Sequence, residues 1–553
     1  MPEMSAVLII RIEQVLYDVK GHVHCGNPSA LFCFTRQGDY AILRAMMIKE
    51  LLPLDQLLQQ RARLSGRKTF IKFVGAAFSF QEMDRLAGVY AAWLLGQGMK
   101  RGDRVALLSQ NNPHYVAAYF GIIRAGGIVL PLNNLLTHEE IDFILNDAGA
   151  ETCFFDRECS GTVEKLRGKS SRSYVLLADV AGAAGDGAPI VPAHGVEDLS
   201  TILYTSGTTG SPKGALLTHR NIMANALACA AAIHISHKDR FVVFLPLFHS
   251  FTFTVCVVIP LVTGSLISLL PSVRPFSRVV KRLILDRITL FVAIPTVYKI
   301  LAEKNMPLLV KMLLNLRLCV SGAAPLPVKV IRDFEAAFKV PLLEGYGLTE
   351  ASPVVSINPD DHGRRKPGTV GLPLPGIEVR VVDDEGKPLA TGVPGELLVK
   401  GPNVMTGYLN RPEDTAKTVR DNWLYTGDIA ALDADGYIKI IDRKKDMIIV
   451  DGLNVYPFEV EEVLYRHSAV RDCAMIGVLH GEDKEIPIMY VVLKDGQQAT
   501  PREFREFLSE HVAHYKIPRR FLMIDELPRT ATGKILKKEI RKLYLATEMK
   551  PHG

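Results

Sequence analysis

Short apolar, β-branched runs alternate along this chain with segments of helical character. Arg104-Val-Ala-Leu-Leu-Ser109 reads as a strand, His114-Tyr-Val-Ala-Ala-Tyr-Phe-Gly-Ile-Ile-Arg124 as a helix and Gly127-Ile-Val-Leu-Pro-Leu132 as the next strand. Alternation of this kind predicts βαβ units and a largely parallel sheet. The small-residue stretch Ala181-Gly-Ala-Ala-Gly-Asp-Gly-Ala-Pro189 predicts a flexible connector, after which a second set of βα units opens. From Gly368 to about Ile441 the pattern shortens, with turn signals at Asp383-Asp-Glu-Gly386, Gly392-Val-Pro-Gly395 and Asp433-Ala-Asp-Gly436, so a small β subdomain is expected. A separate α+β unit is expected from Lys445 and Asp446 onward.

Two stretches depart from this rhythm. Phe241 to Val273 holds no Asp, Glu, Lys or Arg, enough length on paper to span a bilayer. Pro246, His249, Pro260, Gly264 and Pro271 interrupt it and no polybasic anchor flanks it. It is therefore expected to be a helix buried between sheets that lines an apolar channel. Residues 1–46 lack the pattern of the rest, which begins around Met46-Met47-Ile-Lys-Glu-Leu-Leu. Met47 is the expected biological start, with 1–46 an upstream extension that packs poorly.

Composition narrows the class. A chain of 553 residues exceeds what one core organises, and 48% hydrophobic with 22% charged residues is globular usage. A net charge of +6 does not call for a nucleic-acid partner. The late basic clusters Lys516-Ile-Pro-Arg-Arg520 and Lys534-Ile-Leu-Lys-Lys-Glu-Ile-Arg-Lys542 read first as solvated faces. Attraction to the phosphates of a ligand or to an anionic membrane is the sharper alternative. The cysteines at 25, 33, 153, 159, 229, 256, 319 and 473 show no zinc-ligand spacing and fit a reducing cytoplasm.

The densest chemistry lies in Leu203-Tyr-Thr-Ser-Gly-Thr-Thr-Gly-Ser-Pro-Lys-Gly214. An apolar strand ends in a loop whose glycines let backbone N–H groups approach an anion. Thr205, Ser206, Thr208, Thr209 and Ser211 add hydroxyl donors and Lys213 a positive charge, the makings of a phosphate cradle. Gly214 after the lysine sets the loop apart from the common nucleotide-hydrolase pattern.

This loop closely resembles the signature of adenylate-forming enzymes, the superfamily of acyl-CoA synthetases, luciferases and peptide-synthetase adenylation domains. Four further segments match in order: Gly345-Tyr-Gly-Leu-Thr-Glu350, Tyr425-Thr-Gly-Asp428, Asp442-Arg-Lys-Lys-Asp-Met-Ile-Ile-Val-Asp-Gly-Leu-Asn-Val-Tyr-Pro457 and Pro528-Arg-Thr-Ala-Thr-Gly-Lys-Ile-Leu-Lys537. The resemblance implies an α/β fold. Its large N-terminal domain, 47–441, would hold two βα sheets and a small β subdomain, followed by a hinge at 442–445 and a smaller, mobile α+β C-terminal domain at 446–553.

The resemblance also implies site roles. Thr205, Ser206, Gly207, Thr208, Thr209, Gly210 and Lys213 would hold the ATP phosphates, and Glu350 with Thr208 would bind Mg2+. Gly322, Ala323, Ala324, Gly345, Tyr346, Gly347 and Thr349 would frame adenine. Asp428 would accept the ribose hydroxyls and Arg443 would add a further ribose or phosphate contact. Lys534 would bridge the substrate carboxylate and the α-phosphate, and Lys445 would be the hinge. Phe248, His249 and Phe251 would line the acyl pocket, and Gly452 would border the thiol channel. Thr205, Lys213, His249 and Lys534 are the expected catalytic set.

The implied reaction joins a fatty acid to AMP with loss of pyrophosphate, then passes the acyl group to coenzyme A. The hinge block Asn454-Val-Tyr-Pro-Phe-Glu459 looks most like bacterial long-chain fatty acyl-CoA synthetases. The rivals are an aryl or medium-chain acid CoA ligase, an acyl-ACP synthetase or fatty acyl-AMP ligase, a luciferase-like oxidase and, from another class, a non-catalytic lipid-binding membrane protein. A cytoplasmic location follows, with attachment to the inner face of the membrane and a homodimer left open.

Overall fold

The structure, a computed structural model, describes residues 51–169, 171–182, 194–205, 212–303, 306–450, 453–480, 484–530 and 533–548. The expected extension at 1–46, the start at Met47 and most of the expected connector lie outside the described residues. Ala181 and Gly182, its first two residues, close the helix Leu177–Gly182 instead.

Two large sheets organise the N-terminal domain. In one, the strands Ser173–Leu176, Thr152–Phe155, Arg104–Leu108, Ile128–Pro131 and Leu199–Thr205 run parallel. The antiparallel strands Lys213–Thr218 and Gly407–Tyr408 close that edge. In the other, Thr69–Phe73, Leu266–Leu269, Arg240–Val243, Leu290–Ala293, Leu318–Ser321 and Leu342–Gly347 are parallel neighbours, with antiparallel strands at both edges. Helices cover both faces of such sheets, so their strands read as continuous apolar runs.

The expected helix at 114–124 is Pro113–Arg124. Asn112 accepts the Tyr115 N–H at 2.9 Å, Pro113 supplies a preset φ, and Gly126 at φ +86° turns the chain back into the sheet. Tyr115, Tyr119, Phe120, Ile122 and Ile123 are all at most 2% exposed. Burial at roughly 1.5–3 kcal/mol per large apolar side chain makes this helix a principal source of stability.

The uncharged stretch 241–273 is not one helix. It runs from the strand Arg240–Val243 through a helical segment to the strand Leu266–Leu269. Only Ser250–Phe253, a π-helical turn Thr254–Val258 and Ile259–Thr263 are helical. The segment fails as a membrane span because its ends pair into a sheet. Among the described residues no helix is long and apolar enough to cross a membrane. Phe253 packs on Tyr119 with ring centroids 3.9 Å apart, so the segment is wedged against the helices of the other sheet.

The β subdomain is a five-stranded sheet over Glu378–Val382, Gly395–Lys400, Val419–Arg420, Trp423–Leu432 and Ile438–Arg443. Two of the three turn signals close as expected: Gly386 N–H donates to Asp383 O at 3.1 Å and Gly436 N–H to Asp433 O at 3.0 Å. The smaller C-terminal domain centres on Val470–His480, Lys484–Leu493 and Arg520–Met523. Alternate residues feed two cores: Cys473 and Met475 face the helices Pro457–Leu464 and Pro501–Ser509, while Ala474 and Ile476 face the helix Lys537–Glu548.

Candidate active site

Three edges of the fold meet at one rim. Thr205 and Lys213 are cross-strand partners at the mouth of an antiparallel hairpin. The intervening Ser206, Gly207, Thr208, Thr209 and Gly210 lie outside the described residues. Glycine is required after the lysine, since a Cβ on Gly214 would come within 2.9 Å of Ile202 and 3.0 Å of the Tyr204 ring. Gly407 and Tyr408 pair with Leu216 and Ala215, which lays Tyr408 beside the hairpin.

Lys213 Nζ lies 3.0 Å from Asp414 Oδ2 and 5.6 Å from the Tyr408 ring centroid. The Tyr408 hydroxyl donates to Glu350 Oε1 at 2.8 Å. Tyr408 thus joins Lys213, the expected phosphate lysine, to the candidate metal ligand, and neither Tyr408 nor Asp414 was anticipated from the sequence. No local motif marks them; strand pairing alone brings them in. Among the described residues no ready-made cluster of three metal-ligating side chains exists. Glu350 suits Mg2+ as a hard oxygen donor that leaves other positions to phosphate and water.

The expected nucleoside wall is built from backbone approach. Gly347 has no room for a side chain, because a Cβ there would sit 2.2 Å from Pro353 O; at Gly345 it would meet Ser356 O at 3.2 Å. Thr349 and Glu350 follow in a short 3-10 turn. Opposite, Gly322 leads the loop after strand Leu318–Ser321, and a Cβ on it would lie 2.9 Å from the Phe251 ring. Ala323 is held at φ +69° beside Ala324. Buried Glu344 accepts the Leu326 N–H at 3.0 Å, and burial pushes its carboxyl up to about 8.

Tyr346, the expected adenine platform, donates its hydroxyl to Asp428 Oδ2 at 2.5 Å. Asp428 and Arg443 are register partners on adjacent strands, with Arg443 Nε 3.4 Å from Asp428 Oδ1. A carboxylate offers about four acceptor sites, so Asp428 retains capacity for ribose hydroxyls beside these two neighbours.

The C-terminal lysine reaches this rim. Thr530 N–H donates to Lys534 O at 2.8 Å and Gly533 N–H to Thr530 O at 2.9 Å, a tight loop with Gly533 at φ +79°. A Cβ on Gly533 would come within 2.7 Å of Ile294, so the loop sits directly on the N-terminal domain. Burial, then the neighbouring Arg443 and Lys445 charges, push the Lys534 ammonium down to about 7; Asp428 and Asp446 oppose the shift. His249 is pushed down to about 4, first by burial and then by Lys534, which places the imidazole in the field of that lysine. Its Nδ1 accepts the Phe251 N–H at 3.3 Å, leaving the ring proton on Nε2.

Buried Asn111 was also unforeseen. Its Nδ2 donates to Leu245 O at 2.9 Å and Leu270 O at 3.2 Å, and its Oδ1 accepts the Leu247 N–H at 2.8 Å. It pins the Leu245-Pro-Leu-Phe-His249 segment from the opposite sheet. Beside His249 opens a narrow crevice bounded by Phe248, Ser250, Phe253, Tyr119, Leu203 and Ile222, with no charged side chain in its lining. Lys445 occupies the turn Lys444–Asp446 between the β subdomain and the C-terminal domain. Gly452 lies outside the described residues.

The AMP-binding enzyme family matches residues 58–409, and its C-terminal domain matches 459–534. This chain belongs to the AMP-binding enzyme family. A long-chain-fatty-acid–CoA ligase of Salmonella typhimurium is 36% identical over 531 residues, covering 88% of this chain and 94% of the relative. A feruloyl-CoA synthase of an Amycolatopsis species is also 36% identical, over 488 residues, covering 88% and 98%. Among solved structures, the anthranilate CoA ligase AuaEII in complex with anthranoyl-AMP superposes with a TM-score of 0.84 at 29% identity, covering 90% of this chain and 99% of that one.

Proposed function

We propose that this protein is an ATP-dependent acid–coenzyme A ligase and that its acid is a fatty acid. The observation that carries the reading is the seating of the Lys534 loop, from the C-terminal domain, against Ile294 of the N-terminal domain, which brings Lys534 into the field of the Asp428–Arg443 pair and of His249. A carboxylate is a poor acylating agent because its oxygen leaves badly. Attack of a carboxylate oxygen on the α-phosphorus, breaking the Pα–O bond to pyrophosphate, gives a mixed anhydride. A thiol then attacks the acyl carbon and AMP departs.

In this reading Lys534 brings positive charge to the carboxylate and α-phosphate as charge redistributes, a task suited to a point charge on a flexible stem. Lys213, held between Asp414 and the Tyr408 ring, meets the outer phosphates with Thr205 and the hydroxyl loop. Asp428 and Arg443 orient the ribose, and Tyr346 lies against the base. Glu350 would hold Mg2+, which supplies charge neutralisation for the phosphates. His249, neutral and fixed by its bond from Phe251, donates from Nε2 near the carboxylate.

The alkyl reading draws support from the Salmonella typhimurium ligase and from the absence of charged residues around the crevice beside His249, where a charged acyl tail would be buried among apolar side chains and neutral hydroxyls. The aryl reading draws support from the feruloyl-CoA synthase, which is as similar as the fatty-acid ligase. CoA-dependent AMP formation across acids from acetate to oleate, with benzoate and coumarate, separates the two. Activity rising toward long chains is expected; a maximum on coumarate or benzoate sinks the fatty-acid reading. Lys534→Ala should slow pyrophosphate release by about two to three decades, roughly 3–4 kcal/mol of transition-state stabilisation. An unimpaired Lys534→Ala variant would remove that lysine from the chemistry.

A further inference from the structure

Outside the substrate-facing residues, a polar chain leads from the N-terminal domain into the loop that carries Lys534. It starts at Lys299, on the helix Pro295–Glu303. The Lys299 ammonium donates to the backbone carbonyl of Arg471 and lies 5.9 Å from the Tyr465 ring centroid. The Tyr465 hydroxyl donates to Asp472 Oδ1, and the second oxygen of Asp472 accepts Arg529 Nη2. Arg529 Nη1 donates to the carbonyl of Gly533, the residue before Lys534. Asp472 also accepts the Cys473 N–H at 3.0 Å and, with Glu303, supplies the negative charge felt by Lys299.

The last link bears on chemistry. Gly533 is in the left-handed region and pressed against Ile294, so the direction of its carbonyl sets where the next side chain points. Lys299 belongs to the N-terminal domain, whereas Tyr465, Arg471, Asp472, Arg529 and Gly533 belong to the C-terminal domain. A rigid-body rotation of the C-terminal domain would carry the Asp472–Arg529 brace along intact and would break the bond from Lys299. A partly buried ammonium keeps its charge only with partners, and here a backbone carbonyl and a ring on the other domain provide them.

We propose that Lys299 is a positioning residue for adenylation: it fastens the Asp472–Arg529 brace to the N-terminal domain and so holds the Lys534 loop at the rim. The proposal rests on the role given to Lys534 above. It predicts an effect on one half-reaction, since a C-terminal domain rotated for thioester formation would have given up this contact.

Lys299→Met keeps the aliphatic stem and removes the charge, while Lys299→Arg keeps a donor. Three quantities are compared: single-turnover pyrophosphate release, thioester formation from synthetic acyl-AMP, and hydrogen exchange on peptides covering 295–303 and 470–480. Lys299→Met should slow pyrophosphate release about tenfold, leave thioester formation within about twofold, and speed exchange on both peptides. Lys299→Arg should recover most of each change. Equal loss in both half-reactions, unchanged pyrophosphate release, or unchanged exchange overturns the proposal. If the wild-type protein releases no pyrophosphate with any acid, the ligase reading fails by itself. The exchange comparison then still decides whether Lys299 fastens the domains.

Discussion

At Lys534, burial works against the charge that its proposed role needs. The ammonium is pushed from its ordinary 10.5 down to about 7, so in the free enzyme the charged form is lost as pH rises through neutrality. If the protonated form is the active one, kcat/KM for adenylation falls on the alkaline side near pH 7. Bound phosphates favour the ammonium, so the corresponding fall in kcat moves to higher pH. His249, pushed down to about 4, stays neutral throughout and adds no inflection near the usual imidazole value. In Lys534→Arg the guanidinium stays charged and the alkaline fall should disappear, even if the rate is lower. Pyrophosphate release measured between about pH 5.5 and 9.5 checks this, and an identical alkaline limb in the arginine variant would assign the titration elsewhere.

Between elements, the segment Leu245-Pro-Leu-Phe-His249 depends on a residue of the other sheet. Asn111 answers two carbonyls and one amide of residues 245–270, and it is 4% exposed. Asn111→Ala leaves those backbone groups short of partners in a dry interior, a loss of about 2–3 kcal/mol. The expected outcome is a lower thermal midpoint together with a raised KM for the acid, since Phe248 and His249 lose their anchor. A raised KM for ATP alone would place the effect at the nucleotide instead. The neighbouring helix Pro113–Arg124 was legible from His114 onward in its apolar pattern, because helical period is a local property, while its Asn112 cap and Pro113 start came from the structure. Asn111 was not, because its partners lie 134 and 159 residues away.

Across the whole molecule, the turn at Lys444–Asp446 joins two anchored regions. Lys444 pairs with Asp384 at 2.8 Å and Glu396 at 3.1 Å on the β subdomain, and Asp446 pairs with Arg541 of the C-terminal helix at 3.4 Å. Lys445 lies between them, so a torsional change there turns one domain against the other with both anchors kept. Lys445→Pro fixes φ near the value of a 3-10 turn and should hold the present arrangement. Pyrophosphate release should stay within about threefold of wild type, while thioester formation from acyl-AMP falls about a hundredfold. Equal activity in both steps would show that this residue is not the pivot.

The sequence by itself determined the βα alternation, the β subdomain and the order of the five motif segments. Each is written in neighbouring residues: strand and helix periods, turn dipeptides, and glycines and hydroxyls that act on the same few backbone groups. It misread Phe241–Val273 as one helix, because an apolar run does not say whether its ends pair into a sheet. The tertiary structure alone decided that Tyr408 joins Lys213 to Glu350, that Tyr346 rests on Asp428, and that Gly533 is braced through Arg529 and Asp472 to Lys299. Those contacts depend on strand register and on how two domains close, and both are set by the burial of surfaces that lie far apart along the chain.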